Sequence, residues 1–517
     1  MLSGRLLVQN KKPYIFFFAL LLSACQFAPR PFCPAQLYQK AQNDVCQVFS
    51  QQAPLCKEID FKHAMARGLR YNLDYRVKQA NAAIKIGQMK LAEFAMLPVA
   101  GLSGSTYSRN NDDATFSSNP DGSPNRNLIA FGADRHIRTW RAGLQWNLID
   151  LGMGYIKTKE ASELVLIAEE EARKDLQKLV QDIRVAYWTA FVAQELKKEL
   201  QSFHTRLEQF KDTLDKALID KTIPKEDLLT YQSALLDENR RLVQLEDRLK
   251  KAEFIFKSLI NIPANQSIIL KEPPVALTKI QNLRGLNFEK LDAITLVNRP
   301  ELRGQGYQKR IAELGTKAAV LQALPILTLS AGRNYNSNSF LVNKFWNDKS
   351  IEVSWNIFNL VSLPVSLREA ETQIKFENLK LMALTLGALN ETRIAFAHYQ
   401  NIANECRVAK KQTVNANRLY HYTKNKFSAN RASKQQLITT QLQYIYAKVD
   451  ELLLLSDTAL ALGELYIASG FDVLPIEATR VSSQEVLCII EDRLKEQENL
   501  SFKAYVDMTY DRIFCKT

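Results

Sequence analysis

Residues 139–146 alternate strictly between apolar and polar positions. Trp140, Ala142, Leu144 and Trp146 share one side, and Thr139, Arg141, Gly143 and Gln145 the other. That two-residue period predicts a β-strand with one apolar face. Ile351, Val353, Trp355 and Ile357 stand against Glu352, Ser354 and Asn356 with the same period. Each run closes on Trp-Asn, in WNLIDLG (146–152) and in WNIFNLV (355–361). After the first Trp-Asn the period changes. Leu176, Leu179, Ile183, Ala186, Ala190 and Ala193 step alternately by three and four, and the series resumes at Leu196 with Leu200, Phe203, Leu207, Phe210 and Leu214. Such a seam predicts a coiled-coil helix with one stammer. It extends from about 154 to 218, roughly 65 residues or 100 Å at 1.5 Å per residue.

The chain states this plan twice. Aligning Trp146 with Trp355 gives an offset of 209 (355 − 146) that holds without a gap for nearly ninety residues. At that offset Asp182-Ile183-Arg184-Val185-Ala186-Tyr187 meets Glu391-Thr392-Arg393-Ile394-Ala395-Phe396, and Leu228-Leu229-Thr230-Tyr231-Gln232 meets Leu437-Ile438-Thr439-Thr440-Gln441. Upstream the offset becomes 227 (324 − 97), where Leu97-Pro98-Val99 meets Leu324-Pro325-Ile326; the segment from Asn72 also echoes the one from Asn298, at 226 (298 − 72). An ordered series of matches reads as an internal duplication. Each half is expected to hold a helix ending at Leu-Pro (about 60–96 and 287–324), since a proline disfavours helical backbone before it. A strand, a polar loop, a second strand, the long helix, a turn and a shorter return helix (about 225–260 in the first half) follow. Residues 109–137, with NNDD and NPDGSPN, and residues 337–349 read as those loops.

A strand half-buried in a soluble sandwich alternates in the same way. Here, however, each hairpin is flanked by very long helices, and no second sheet is available to cover it. A barrel with an apolar outside and a polar lumen fits the pattern, with aromatic residues at its two interfaces. The membrane-facing residues are then Trp140, Leu144, Trp146, Ile351, Val353 and Trp355. Four strands cannot close a barrel in lipid, because an open edge leaves backbone groups unsatisfied; three chains would supply twelve. The expected fold class is mainly α with β: an internally duplicated, long α-helical coiled-coil barrel plus four β-strands per protomer in a trimeric 12-stranded transmembrane β-barrel.

Composition supports helices: 18 Gly and 16 Pro among 517 residues are few. The net charge of +13 admits a nucleic-acid binder, but the cations are spread along helices without a finger or RNP pattern. The N-terminus speaks against one as well. Arg5, Lys11 and Lys12 precede YIFFFALLLSA (Tyr14–Ala24), too short to span a bilayer and suited to a signal peptide. Losing those three cations lowers the balance from +13 to +10. The stretch ends in Leu22-Ser23-Ala24-Cys25 and then Gln26. It resembles the lipobox of bacterial lipoproteins, which implies acylation of Cys25; an ordinary secretory signal with an incidental cysteine is the other reading. Six further cysteines, Cys33, Cys46, Cys56, Cys406, Cys488 and Cys515, would meet an oxidising compartment and allow 15 connectivities. Cys488–Cys515 is one candidate pair, and Cys406, in a helical pattern, is equally a packed free thiol. Five scattered histidines and the absence of HExxH, GxSxG, P-loop or GxGxxG in suitable context point to no enzyme, no metal and no cofactor.

Lipobox, duplicated helix–hairpin–helix–turn–helix, Leu-Pro before the first strand, Trp-Asn after the second, and NRPELR (298–303) together resemble the TolC-type outer-membrane efflux proteins, across roughly residues 59–470. The resemblance implies a homotrimer anchored by lipid in the bacterial outer membrane and extending through the periplasm. It implies as partners outer-membrane lipid, a periplasmic adaptor (membrane fusion) protein and a proton-driven or ATP-driven inner-membrane pump. The implied organisation is a signal peptide (1–24), a lipidated equatorial segment (25–58) and a first repeat (59–286, hairpin 97–147, tip turn 217–227). A second repeat (287–470, hairpin 325–358, tip turn 426–436) and a C-terminal equatorial segment (471–517) complete it.

In that family the two turns face the adaptor. Here they read ALIDKTIPKEDLL (217–229) and KFSANRASKQQLI (426–438), so Lys221, Thr222, Ile223 and Pro224, and Asn430, Arg431, Ala432 and Ser433, are the implied contacts. Asn430 tolerates a left-handed turn better than Lys221 does. Between Glu405 and Asp450 there is no acidic residue but nine cations, among them Lys424, Lys426, Arg431 and Lys434. This predicts an electropositive entrance favouring anionic cargo or an acidic adaptor surface, unless the charges only solvate an outer face. The alternative to a channel is a non-channel periplasmic coiled-coil lipoprotein scaffold, on which the tryptophan faces would stand exposed.

Overall fold

A computed structural model describes residues 31–50, 52–55, 57–219, 225–272, 280–471, 492, 496 and 500–514. Cys25, Lys221, Thr222, Ile223, Pro224, Cys56, Cys488 and Cys515 lie outside the described residues, as do the side chains of Phe203, Leu207, Phe210, Leu214 and Lys434.

Two units are distinguished, residues 1–55 and 56–517. Within the first, helix α1 (Pro34–Ser50) buries no residue, and Cys33 and Cys46 are exposed free thiols. The second unit begins with β1 (Glu58–Ile59), α2 (Phe61–Tyr71), α3 (Leu73–Phe94), β2 (Val99–Ser108), β3 (Asp113–Ser118), β4 (Pro124–Ala133) and β5 (His136–Asn147). It continues through α4 (Leu148–Ile219), α5 (Lys225–Leu259), β6 (Ile269–Leu270), α6 (Phe288–Asn298) and α7 (Pro300–Gln322). The last elements are β7 (Ile326–Asn336), β8 (Phe345–Ser354), α8 (Ile357–Ser428), α9 (Lys434–Ala468) and α10 (Phe502–Phe514).

The long helices α4 and α8 have 72 residues each, and the return helices α5 and α9 have 35 each. Every one of their bounds is 209 apart (357 − 148, 428 − 219, 434 − 225, 468 − 259). The starts of α2 and α6, and of α3 and α7, differ by 227 (288 − 61, 300 − 73). One long helix therefore runs beside two shorter ones: α4 beside α3 and α5, α8 beside α7 and α9, with α4 also against α7 and α9. The seam predicted from Leu176 to Leu200 is buried at every position. Its lower part joins Trp188, Val192, Leu196 and Leu200 to Ile438, Leu442, Ile445 and Val449 of α9.

The expected single helices before each hairpin are broken instead, into α2 and α3 and into α6 and α7. Asn72 adopts extended backbone (φ −62°, ψ 121°) and accepts a hydrogen bond from Tyr75 N at 3.0 Å, capping α3. Arg299 (φ −64°, ψ 124°) is held extended by the ring of Pro300, which takes the first helical position of α7. The breaks are where the return helices arrive. Asn72 Nδ2 donates to Leu259 O at 3.3 Å, and Asn261 Nδ2 donates to Tyr71 O at 3.2 Å. Asn261 (φ 54°) and Gly470 (φ 71°), 209 residues apart, end α5 and α9 in the left-handed conformation. A second core forms here from Leu291 and Ile294 of α6, Tyr399 of α8, Leu465 of α9, and Phe502 and Tyr505 of α10. Two-stranded β1–β6 is clamped to α4: the Tyr187 hydroxyl lies 3.1 Å from Ile59 O and 2.7 Å from Lys271 O, and Gln194 bridges Ile268 and Leu270.

Charges of NRPELR tie the break to both long helices. Arg299 Nη1 meets Glu391 of α8 at 2.6 Å, and Arg303 Nη2 meets buried Glu170 of α4 at 2.8 Å. Burial raises the Glu170 carboxyl above its ordinary range, against the opposing pull of Arg303 and Arg173. A carboxyl raised on folding binds more protons in the folded state, so its contribution to stability is largest at acid pH. That contribution is lost as pH rises through the raised value. Thermal unfolding of Glu170→Gln between pH 4.5 and 7.5 is expected to show a shallower fall in stability with rising pH than the wild type. An unchanged slope would remove Glu170 as its source.

Cys406, 3% exposed, is the packed free thiol that its helical pattern allowed, and burial pushes it up from the ordinary thiol range.

Candidate functional site

The strand pattern becomes one antiparallel sheet in the order β2-β5-β7-β8. Between the two hairpins β5 pairs with β7, from Thr139↔Asn336 to Asn147↔Thr328, so one sheet joins the two halves. The register puts Leu102 beside Ala142, Trp140 beside Tyr335, Leu144 beside Ala331, Trp146 beside Leu329, and Leu329 beside Ile351. These residues share one face with Val353. Trp140, Leu144, Ile351 and Val353 are 38%, 53%, 75% and 66% exposed, so no described residue covers them. Trp140, Tyr335 and Phe345 cluster at the loop-ward end, with ring centroids 4.7–6.1 Å apart. The band is interrupted near β8, where Arg333, Asn347 and Lys349 lie on this same face.

The opposite face is polar and concave. A depression of about 510 Å³ there is lined by Gly101, Ser103, Gln145, Thr328, Ser330, Ser350 and Glu352. Arg141 of β5 reaches across β7 to Asp348 of β8, with Nη2–Oδ2 at 3.2 Å. The strand between is open because Gly332 lies beneath the pair: a Cβ there would stand 2.8 Å from Asp348 Oδ1 and 2.9 Å from Arg141 Nε. The alternating pattern alone did not pick out this pair. A glycine inside a strand, which marks close approach by a neighbour, was the available signal.

Both Trp-Asn pairs sit where strand gives way to long helix, and both do the same two jobs. Trp146 Nε1 donates to Met96 O at 3.2 Å, and Trp355 Nε1 donates to Ala323 O at 3.0 Å. Each indole thus fastens the outgoing strand end to the carbonyl just before Leu-Pro. The asparagines cap: Asn147 Oδ1 accepts from Ile149 N at 2.9 Å, and Asn356 Oδ1 from Phe358 N at 3.1 Å. Trp355 was expected on a strand. It lies one residue beyond β8, because β8 ends at Ser354 and Ile357 already starts α8.

The polar loop expected at 109–137 contains a ribbon, β3–β4, paired from Asp113↔Ala133 to Ser118↔Pro124. Its apex is the NPDG stretch, with Gly122 left-handed (φ 81°). Phe116, Ile129 and Phe131 stand exposed on it, as does Val342 of the second loop.

At the far end, the turn between α8 and α9 is a complete Schellman motif with asparagine in the glycine position. Asn430 (φ 56°) donates its N–H to Phe427 O at 2.9 Å, and Arg431 N–H goes to Lys426 O at 2.8 Å. Ser433 then opens α9 with a capping box to Gln436. Lys424, Lys426 and Arg431 are exposed around this turn, Lys426 over the Tyr422 ring at 4.8 Å, and Ala432 is half-buried. Among the described residues no carboxylate pairs with these three cations.

No protein-family model matches the chain, and no curated protein does. Solved structures do. The open-state outer-membrane channel MtrE of Neisseria gonorrhoeae is 15% identical, with a TM-score of 0.62 over 80% of this chain and 91% of that one. The outer-membrane channel CmeC of Campylobacter jejuni is 12% identical, with a TM-score of 0.62 over 85% and 89%. The outer-membrane protein VceC of Vibrio cholerae is 15% identical, with a TM-score of 0.57 over 84% and 98%. At these identities the likeness is one of fold. The chain has the fold of outer-membrane channel proteins, the one that its TolC-type resemblance implied.

Proposed function

We propose that three copies of this chain close into a duct across the bacterial outer membrane. The duct would be the exit channel of a tripartite efflux or type I secretion system, fed by a periplasmic adaptor and an inner-membrane pump. One observation carries the proposal: a four-stranded sheet with an uncovered apolar face, a concave polar face, and β2 and β8 free at its edges. In water that face costs hydrophobic free energy, and in lipid the free edges cost hydrogen bonds. Joining β8 of one chain to β2 of the next, three times over, removes both costs in a 12-stranded barrel with polar lumen. Trp140 and Trp146, six residues or about 20 Å apart along β5, suit the two interfaces. Lys349 and Arg333 share that face, and in a lipid-facing wall their long stems would carry the charged heads to an interface.

On this reading the 209-residue spacing records an internal duplication, with repeats at 59–286 and 287–470. Cys25 carries lipid after removal of residues 1–24, and residues 471–517 complete the equator. The two turns meet the adaptor, and Lys424, Lys426 and Arg431, with Lys434, make an electropositive entrance. Purified protein in planar bilayers tests both claims. Trimers that resist SDS until heated, and conduct with a preference for anions, are expected. Reversing three charges (Lys424→Glu, Lys426→Glu, Arg431→Glu) is expected to invert that preference. A soluble, detergent-free monomer without conductance would reject the duct in favour of a scaffold. Clear cation selectivity in the wild type, lost only on changing residues within 405–450, would reject the entrance.

A further inference from the structure

A second cavity lies well away from the sheet and the α8–α9 turn. It has a volume of about 480 Å³ and sits between α8 and residues 280–284, the segment leading into α6. Two arginines line it, Arg284 and Arg407, together with the amides of Asn282, Gln400 and Asn404, and no carboxylate among the described residues does. Its walls are fixed from both sides. Gln281 N donates to the Tyr399 hydroxyl at 2.8 Å, and that hydroxyl donates to Gln281 O at 3.1 Å. Gln281 Oε1 accepts from Phe502 N at 2.6 Å, and Arg284 N donates to Asn282 Oδ1 at 3.1 Å. On α8, Arg407 donates through Nη1 to Asn404 Oδ1, which holds the guanidinium over the cavity. Neither arginine forms an ion pair among the described residues.

Both arginines are exposed at the rim, and no described carboxylate takes their N–H donors. An oxyanion can take those donors in charge-assisted pairs, the geometry for which a guanidinium is suited. The volume falls in the range of small-molecule sites.

We propose that this cavity binds a small solute bearing a phosphate or carboxylate group, held by Arg284 and Arg407. The site is independent of any role in the membrane. Titration calorimetry on the full chain in detergent at low ionic strength, where exposed charges are least screened, tests it with inorganic phosphate and citrate in separate arms. Saturable binding at one site per chain is expected in at least one arm, and the tighter arm identifies the chemistry. Arg284→Gln and Arg407→Gln are each expected to weaken it about tenfold or more. Lys424→Gln at the α8–α9 turn should leave it unchanged. Circular dichroism of each variant guards against misfolding. Absence of saturable heat in both arms, or an affinity that the double arginine variant retains, would overturn the proposal.

Discussion

Leu144→Arg is expected to weaken the heat-modifiable trimer, whereas Gln145→Arg, one residue along the same strand, is expected to leave it intact. The two positions differ only in the face they occupy. Leu144 lies on the uncovered apolar face, half-exposed and mid-strand between Trp140 and Trp146. Gln145 lies on the opposite face, paired with Ser330 of β7. An arginine on the lipid side near the midplane costs about 2–4 kcal/mol, and a lumen substitution mainly tunes selectivity. In the proposed trimer that cost recurs in each chain, less the part recovered where the side chain reaches an interface, as Lys349 in the same register must. Outer-membrane fractions run unheated and heated on SDS gels read the result. Equal tolerance of both arginines would show that neither face meets lipid, and the proposed duct would fail with it.

Gly470→Ala is expected to be among the most damaging single-methyl changes, and Gly285→Ala supplies its control. Both glycines are left-handed, at φ 71° and 75°, so each alanine incurs about 1–2 kcal/mol of backbone strain. Only Gly470 is also crowded. A Cβ there would meet Arg299 N and Asn298 Cβ at 3.1 Å, while at Gly285 the nearest atom is the mobile tip of Lys503 at 3.6 Å. Arg299 N cannot yield freely, since it closes α6 by bonding Thr295 O. The added crowding brings the cost at Gly470 to about 3 kcal/mol or more, typical of overpacking on top of strain. Circular dichroism melts of the two variants should place Gly470→Ala several degrees below Gly285→Ala. Coincident melts would mean that the break beside Arg299 is not a tight joint.

How legible this architecture is depends on the range of the force that sets each part. The long helices could be read because their seam is local and periodic: Leu176 through Leu200 is buried as the spacing predicts. The Trp-Asn pairs could be located but not explained, since the carbonyls that Trp146 and Trp355 reach lie 50 and 32 residues upstream. The break at Arg299 was available from Pro300. The one at Asn72 was hidden, because asparagine caps a helix only when the chain chooses to stop there. Residues 109–137 were read as loop from their turn letters, while Phe116, Ile129 and Phe131, which flank the NPDG apex, were the strand signal. Asn430 was read as fit for a left-handed turn from its side chain alone, and it takes one. The pairing of β5 with β7 and the cavity beside Tyr399 join segments far apart in sequence, and no local pattern announces them; of the Arg141–Asp348 bridge only Gly332 gave a local sign.

That β5–β7 seam has a consequence for biogenesis. Thr139 and Asn336, its outermost partners, are separated by 197 positions (336 − 139), so a nascent chain emerging from its N-terminus cannot zip the centre of its own sheet until well over half of it has been delivered. High contact order of this kind makes the search slow and leaves sticky ribbons waiting. Throughout that interval the apolar face of β2–β5 stands uncovered with its β7 edge unpaired, which makes this stretch the part of the chain most open to mispairing.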